Sequence, residues 1–422
     1  MRRPHRGVCI VGLMVLLACV AEPSVAADTV QAGVAQETFV LPRWVPLAGY
    51  SRRKGNSSHG THDPVGVRAL VIQDAETVAA LVSCDLLIVD EHLFDEVRRR
   101  LLAQGFPQDV VLMVAATHTH SGPGGYGTRF FEKLSMGHFD REIFETIVAA
   151  ISRAVTRAQA ARAPVRLASF ATTVDTLVTN RMDPHGFTDG ELMVRAFYHP
   201  PARTPRALVV NFSAHPTTLG AWNRQLSADY PGVVVRELER QVPGAMVLFF
   251  AGAVGDQAPV KSGEGFASAE HIGFTLAQRV DALLQEGDPD TPRAVMATQE
   301  RVPLPPARVR LGPRVILPRW LGRQFVDDDA TLSLLAVGKT VFLGVPCDLT
   351  AGLGQELKTA ARSHDLDPMI IGFASDYIGY CLPEALYDSQ TYESSLAFNG
   401  PKTGELVVDR MKQMLEQLVT SD

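Results

Sequence analysis

Two histidines one residue apart, at the end of an apolar run, are the clearest chemical signal in this chain. Residues 110–126 read VVLMVAATHTHSGPGGY, so a composition typical of a buried strand gives way to His118, His120 and a glycine-rich turn. If strand geometry continues through the pair, both imidazoles project to one face, because side chains two apart on a strand share a side. We therefore predict metal binding or catalysis here, against the alternative of hydrogen-bonded structural histidines.

Three further segments place polar side chains where an apolar strand meets a turn, at 209–218, 342–350 and 372–380. Their candidate residues are His215, Asp348 and Tyr380. In open α/β sheets, residues beyond the carboxyl ends of strands meet even when they are distant in sequence. Taken singly, each has an ordinary alternative: a core histidine for His215, a helix N-cap for Asp348 and a core aromatic for Tyr380.

The elements that must position these residues alternate along the chain. Hydrophobic periodicity predicts strands at 67–72, 78–87, from 110, 192–198, 207–212, 246–250 and 369–373, with a hairpin over 331–345. It predicts helices at 91–102, 142–158, 233–241, 268–285, 353–361 and 404–418. Interleaved elements of this kind predict an α/β fold, with a mixed sheet layered with helices and the metal site at strand ends. Residues 28–60 are predicted to be an entry segment that contains a loop at 51–58, and 293–323 a β excursion or lid.

Composition excludes one class of partner. The 422 residues are 46% hydrophobic, which is ample for a packed core, and the formal net charge is −6. No basic block is present, and phosphate binding relies on clustered Lys and Arg, so we expect no nucleic-acid partner.

The first residues resemble an export signal. Arg2, Arg3 and Arg6 precede an apolar run, and a small-x-small cleavage site follows at 24–26. We predict a signal peptide at 1–26 and a single catalytic domain at 27–422, periplasmic or secreted. The alternative is a lipoprotein, because residues 16–19 resemble a lipobox that would lipidate Cys19. No later stretch has the roughly 18 consecutive apolar residues of a spanning helix, although membrane-surface contact is compatible with the sequence.

Cleavage after residue 26 would leave three cysteines, Cys84, Cys347 and Cys381. Two states stay open at this point. Buried free thiols are one, and a disulfide between Cys347 and Cys381 is the other, because an exported protein lives where disulfides persist.

Seven motifs, in order, resemble the catalytic domain of the neutral/alkaline non-lysosomal ceramidases. They are PLAGY at 46–50, HDP at 62–64 with VRAL at 67–70, THTHSGPGG at 117–125, NR at 180–181, GVP at 344–346, YIGY at 377–380 and YE at 392–393. The THTHSGPGG block is the most specific, and the resemblance extends from about residue 42 to 398. We expect no counterpart of the immunoglobulin-like C-terminal domain that the large family members carry.

The resemblance implies zinc (Zn²⁺) as cofactor and a ceramide-like lipid as substrate. A zinc-bound water would hydrolyse the N-acyl amide and release a fatty acid and a sphingoid base. The implied zinc ligands are His118, His215, Asp348 and Tyr380. The residues implied at the scissile amide are His120, Arg181 and Tyr392. In this scheme the second histidine transfers the proton, the arginine and Tyr392 steady the oxyanion, and Tyr380 adjusts the coordination during turnover.

Two departures from the family pattern keep other functions open. Asp348 stands where the family typically has Glu, and Ala258 stands where it has a Ser in a Gly-Asp-x-Ser-Pro turn. Ala258 cannot be a nucleophile, which favours a metal-water route and weakens the inference of ceramide specificity. The alternatives are the same zinc machinery acting on another amide or ester, and an exported lipid-binding protein with a degenerate metal site. Asp85 could support the site or be a strand-end hydrogen bonder.

Overall fold

Strands and helices alternate through the computed structural model, which describes residues 29–42, 44–310, 315–322 and 325–420. The strands are β1 Gln31–Thr38, β2 Gly60–Thr61, β3 Gly66–Gln73, β4 Val78–Cys84, β5 Val111–Ala116, β6 Ala163–Pro164, β7 Arg166–Thr173, β8 Val178–Asn180, β9 Glu191–Tyr198, β10 Ala207–Phe212, β11 Gln225–Leu226, β12 Met246–Ala251, β13 Gln257–Pro259, β14 Val295–Pro303, β15 Asp329–Val337, β16 Thr340–Gly344, β17 Asp348–Leu349, β18 Asp367–Ile371 and β19 Tyr380–Cys381. The helices are α1 Glu91–Ala103, α2 Phe130–Met136, α3 Arg141–Ala160, α4 Asp229–Gln241, α5 Phe266–Leu284, α6 Arg319–Gly322, α7 Ala351–Ser363, α8 Tyr392–Ser395 and α9 Thr403–Thr420.

The first mixed sheet has the strand order β5-β4-β3-β1-β6. Its β4 and β5 are parallel, and its other neighbours are antiparallel. Helices α1 and α3 pack against one face, and α3 buries residues 143, 147, 151 and 155 at the spacing of one helical stripe. Strand β5 is buried at every position, which explains its continuous apolar sequence.

Two more mixed sheets complete the architecture, in the orders β12-β10-β9-β7 and β14-β15-β16-β18. Helices α4 and α5 cover the second sheet, and α7 and α9 cover the third. The inner faces of the three sheets share one core, to which β5 contributes Met113, β12 contributes Phe250 and β16 contributes Phe342. Burial on both faces is what strands with near-continuous apolar runs require.

The strand ends meet because backbone bonds join the sheets there. The amide of Ala116 at the end of β5 donates to the carbonyl of Phe373, just past β18. The amide of Gly372 donates to the carbonyl of Ala251, at the end of β12. Two short pairs extend this edge: β17 runs parallel to β19, with Asp348 opposite Tyr380, and β13 runs antiparallel to β8. The carboxyl ends of strands from all three sheets therefore surround one region.

The predicted α/β fold is confirmed, with three mixed sheets in place of one. Most predicted elements lie within a few residues of the observed ones, but the entry segment at 28–60, where no strand was predicted, contains β1. Gly33 in that strand lies against α3, where an added Cβ would be 2.3 Å from the carbonyl oxygen of Ala158. Strand β14 lies within the predicted excursion. None of the described helices combines the length and apolarity needed to cross a membrane. The predicted signal peptide and Cys19 lie outside the described residues, and the single-domain boundary stays a prediction.

Candidate metal centre

Three imidazoles converge at this edge of the sheets. The Nε2 atom of His118 lies 2.9 Å from Nε2 of His215 and 3.3 Å from Nε2 of His120. Ligand atoms of all three lie within 4.8 Å of one another. The fold thus brings together three residues that were predicted from the sequence, from beyond the ends of β5 and β10.

Each imidazole is oriented by its other nitrogen. The Nδ1 atoms of His118, His120 and His215 face the carbonyl oxygens of Leu87, Gly49 and Val254, at 2.6, 3.1 and 3.2 Å. A carbonyl oxygen only accepts, so each Nδ1 carries the proton and each Nε2 turns an unprotonated lone pair toward the centre. Three facing lone pairs repel one another unless a cation lies among them. The three residues therefore fit a metal ion.

Burial keeps these imidazoles neutral. Desolvation lowers the pKa of His118 to about 3 and holds the pKa values of His120 and His215 well below their usual range. The positive charge of Arg181 adds to this effect in all three. Neutral imidazole is the form that binds metal ions.

Asp348 supplies a carboxylate to the same centre. Its Oδ1 atom lies 3.6 Å from Nε2 of His118 and 3.9 Å from Nε2 of His215, and it has no hydrogen-bond partner among the described residues. The hydroxyl of Tyr377 donates to Oδ2 at 2.8 Å. Burial raises the pKa of Asp348 to about 7, although the hydrogen bond from Tyr377 and the positive charge of Arg181 act in the opposite direction. The unpartnered Oδ1 is a second observation that fits a metal ion.

Two readings made from the sequence are corrected by the local geometry. Asp348 is not a helix N-cap, because α7 begins at Ala351 and its N-cap is Thr350. Strand geometry does not continue through the histidine pair either: β5 ends at Ala116, and His118 has a left-handed φ of 63°. The ring of His118 stacks flat on Phe373, with centroids 3.8 Å apart. The two imidazoles converge through this turn and not through strand alternation.

Arg181 and Tyr380 lie next to the histidine group and contact each other. The guanidinium of Arg181 donates from Nη2 to the hydroxyl of Tyr380 at 2.8 Å and to the carbonyl of Gly255 at 2.7 Å. Its Nε lies 2.9 Å from Oε1 of the buried Glu393. The pairing of β19 with β17 brings Tyr380 beside Asp348. Tyr380 and Asp348, both predicted from the sequence, therefore line the same cavity.

Tyr392 differs from the other predicted site residues in being 65% exposed. It begins α8, and its ring meets that of Tyr380 edge to face, at a centroid distance of 6.1 Å. It lines the mouth of a cavity of about 320 Å³ whose polar end contains His118, His120 and Asp348. The walls are largely apolar and include Phe131, Phe325 and Phe398. Arg129 and Asp327, which form an ion pair, also line this cavity.

Several residues at the site were not assigned a role from the sequence. Tyr377 and Glu393 lie within the quoted motifs, and only their partners in the fold reveal that they orient Asp348 and Arg181. Asp85 is a strand-end hydrogen bonder, because its Oδ2 accepts from the amide of Gly66 at 2.9 Å. Ala258 lies in β13 and is not among the described residues that line the cavity.

The three cysteines in the described part of the chain are free thiols. Cys84, Cys347 and Cys381 are buried and unpaired with one another in the described part of the chain. Of the two states left open by the sequence, the structure contains the free thiols and not the disulfide.

The chain is similar in sequence to a known protein family. The model described as "Neutral/alkaline non-lysosomal ceramidase, N-terminal" matches residues 42–269, more than half of the chain. The chain belongs to this family. The neutral ceramidase of Pseudomonas aeruginosa is 24% identical, with 89% of this chain and 70% of that protein aligned. The neutral ceramidase of Mycobacterium tuberculosis is 27% identical over 47% of this chain and 34% of its own.

The solved structures agree on the fold. The crystal structure of neutral ceramidase from P. aeruginosa superposes with a TM-score of 0.83, covering 93% of this chain and 75% of that chain at 21% identity. A ceramidase complexed with C2 gives the same TM-score over 92% of this chain and 75% of its own, at 20% identity. At 20–21% identity, this similarity shows that the folds are alike and does not by itself establish the function.

Proposed function

We propose that the protein is a zinc-dependent hydrolase that cleaves the N-acyl amide of ceramide or a related N-acyl lipid, releasing a fatty acid and a sphingoid base. The observation that carries the proposal is the set of three inward Nε2 atoms with the unpartnered Oδ1 of Asp348, at the polar end of an apolar cavity. Family membership and the names of the relatives support the substrate class.

Four residues would hold the zinc in this proposal: His118, His215, Asp348 and Tyr380. Nitrogen and carboxylate donors are typical of zinc, which supports that ion over the hard cations that prefer all-oxygen sites. When bound, zinc polarises a carbonyl and lowers the pKa of a water to about 7.

The remaining residues would bind and protonate the substrate. Because Nδ1 of His120 donates to the carbonyl of Gly49, its Nε2 carries a lone pair that can accept a proton from the attacking water and return it to the leaving nitrogen. Arg181 carries a charge next to the Tyr380 hydroxyl, where an amide oxygen becomes negative in the transition state. Tyr392 at the mouth can add a hydroxyl donor, and the apolar walls exclude water from the acyl chain.

The position of His120 also fits a third nitrogen ligand, since its Nε2 lies 3.3 Å from that of His118. The two roles predict different results for His120→Ala. A proton-transfer residue leaves zinc binding intact and lowers kcat, whereas a ligand loses zinc and activity together. Zinc content of the purified variant decides between them.

The decisive experiment is fatty-acid release from a panel of N-acylsphingosines, other fatty-acid amides and simple fatty-acid esters, with zinc assayed in the same samples and His118→Ala as control. We expect zinc-dependent release from the N-acylsphingosines and none from the variant. If the protein binds zinc but hydrolyses only esters or other amides, the proposed substrate class is wrong and those compounds take its place. If it binds zinc and hydrolyses nothing, the lipid-binding alternative is favoured.

We also propose that the protein is exported, on the basis of the cationic and apolar residues at 1–26. N-terminal sequencing of the mature protein tests this. A start at residue 27 supports a soluble periplasmic or secreted protein, and a lipidated start at Cys19 supports a membrane-anchored one.

A further inference from the structure

Arg53 is a buried cation close to the metal centre, and it has no acidic partner among the described residues. It is 3% exposed and ends a short 3₁₀ turn, Ser51–Arg53. The hydrogen bonds that its side chain makes to described residues all go to backbone carbonyls. Nη1 donates to Ala48 at 2.7 Å and His120 at 2.6 Å. Nε and Nη2 donate to Ala221 and Gly220, each at 3.3 Å.

This placement is electrostatically unfavourable. A charge removed from water without a counter-ion carries a large desolvation penalty, and a bound metal ion near His120 would repel the guanidinium further. We infer that this position requires a set of hydrogen bonds that a neutral side chain cannot make. A guanidinium offers five N–H donors in a rigid planar fork, and no other side chain can contact four carbonyls in this way.

The carbonyls that Arg53 binds belong to the segments that carry the metal centre. One is the carbonyl of His120 itself, and two follow His215 in the chain at 220 and 221. The fourth, at 48, adjoins Gly49, whose carbonyl accepts from Nδ1 of His120. Tyr50 strengthens the same connection: its hydroxyl donates to Leu219, and its ring lies 4.8 Å from the Arg53 guanidinium carbon.

We propose that Arg53 is a positioning residue of the metal centre, which fixes the separation of the loops carrying His120 and His215 so that their ring nitrogens converge. Arg53 contacts neither the cavity nor the ring nitrogens, so it acts through the backbone alone. The proposal rests on the metal centre of the proposed function and is independent of the substrate.

The chain offers a matched control at the adjacent position. Arg52 belongs to the same 3₁₀ turn but is exposed, so Arg52→Met and Arg53→Met make the same chemical change with and without the carbonyl contacts. Zinc affinity is measured by competition with a chromophoric chelator, and thermal unfolding is followed in EDTA. The visible spectrum of the cobalt-substituted proteins reports the coordination geometry.

We expect Arg53→Met to weaken zinc binding by about 10–100-fold, the range found when partners that orient metal ligands are lost, and to alter the cobalt spectrum. Arg52→Met should behave as the wild type. Arg53→Lys retains the charge but not the planar fork, so it should also weaken zinc binding, and it serves as the test if the methionine variant fails to fold.

Three results would overturn the proposal: wild-type zinc affinity in folded Arg53→Met or Arg53→Lys, an equal loss in Arg52→Met, or a lowered unfolding temperature with an unchanged cobalt spectrum and zinc affinity. The last would make Arg53 a general structural residue. Wild-type protein that binds no zinc would refute the metal centre itself, whereas failure to cleave ceramide would refute only the substrate.

Discussion

Removing the hydroxyl of Tyr377 tests whether the metal centre depends on an oriented carboxylate. In Tyr377→Phe, Oδ2 of Asp348 loses the donor that lies 2.8 Å away and that restrains the orientation of the carboxylate. The Oδ1 atom, 3.6 Å from Nε2 of His118, is then no longer held toward the histidines. Zinc binding should weaken because part of the binding free energy is used to reorient the carboxylate.

Two independent estimates of the effect agree. A hydrogen bond to a charged group contributes about 1.5–3 kcal/mol. Loss of a group that orients a metal ligand lowers affinity by about 10–100-fold, which corresponds to about 1.4–2.7 kcal/mol. We therefore expect Tyr377→Phe to bind zinc about 10–100 times more weakly than the wild type in chelator competition.

Tyr387 provides the matched control for this substitution. It is also buried, at 2% exposure, but its hydroxyl oxygen has no hydrogen-bond partner among the residues that the structure describes. Tyr387→Phe removes an unsatisfied polar atom, so it should leave zinc affinity unchanged and should not lower the unfolding temperature. Equal zinc affinities for the two variants would refute the argument that Tyr377 orients Asp348.

Two further substitutions test the surroundings of the centre. A Cβ at Gly49, where φ is 105°, would lie 2.7 Å from the Cα, Cβ and Cγ of His120, so Gly49→Ala should lower zinc affinity at least about tenfold. Gly352→Ala is the control, because an added Cβ there meets nothing within 4 Å, and it should leave zinc affinity unchanged. Equal zinc affinities for the two variants would contradict the predicted clash at Gly49. Asp85 makes the stability of the fold depend on pH, because burial raises its pKa from 3.8 to about 6. The protonated form of Asp85 stabilises the fold. This stabilisation is fully present below pH 3.8 and is lost as the pH rises through 6. The test is urea denaturation of the metal-free wild type and Asp85→Asn at several pH values. Between about pH 4 and pH 7, the unfolding free energy of Asp85→Asn should rise relative to that of the wild type by up to about 3 kcal/mol. A difference that stays constant with pH would contradict this prediction.

The strand-end residues could be predicted because their signal is local. His215 and Asp348 follow apolar runs that end in turns, and the general rule that polar groups gather beyond strand ends then brings them together. Arg181 and Tyr392 have no such local signal, and only the resemblance to a family selected them. The fold explains why: Arg181 is defined by contacts with residues 255, 380 and 393, which no periodicity relates to it.

The backbone at the site could not be predicted because long-range contacts determine it. The left-handed conformation of His118 is held by its bond to Leu87 and its stacking on Phe373, which are distant in sequence. The pairing of Asp348 with Tyr380 likewise depends on how β16 and β18 end beside each other. A pattern of two alternating histidines therefore predicted the right pair for a partly wrong geometric reason.

The turn at residues 255–259 gives the Ala258 departure its structural meaning. Gly255 lies so close to β17 that an added Cβ would be 2.6 Å from the carbonyl oxygen of Asp348, and its amide donates to Leu349. The carboxylate of Asp256 accepts from the amide of Ala351 and from the side chain of Asn180, and so connects the segment after Asp348 to the one before Arg181.

This turn therefore joins two parts of the site through its first two residues. Ala258, in the following strand, pairs with Thr179 and makes no contact with the cavity among its described lining residues. Replacing serine by alanine there leaves the joining contacts intact, so the departure says little about substrate choice. If the proposed function holds, differences in substrate range are better sought in the cavity walls, which include Phe131 and Phe325.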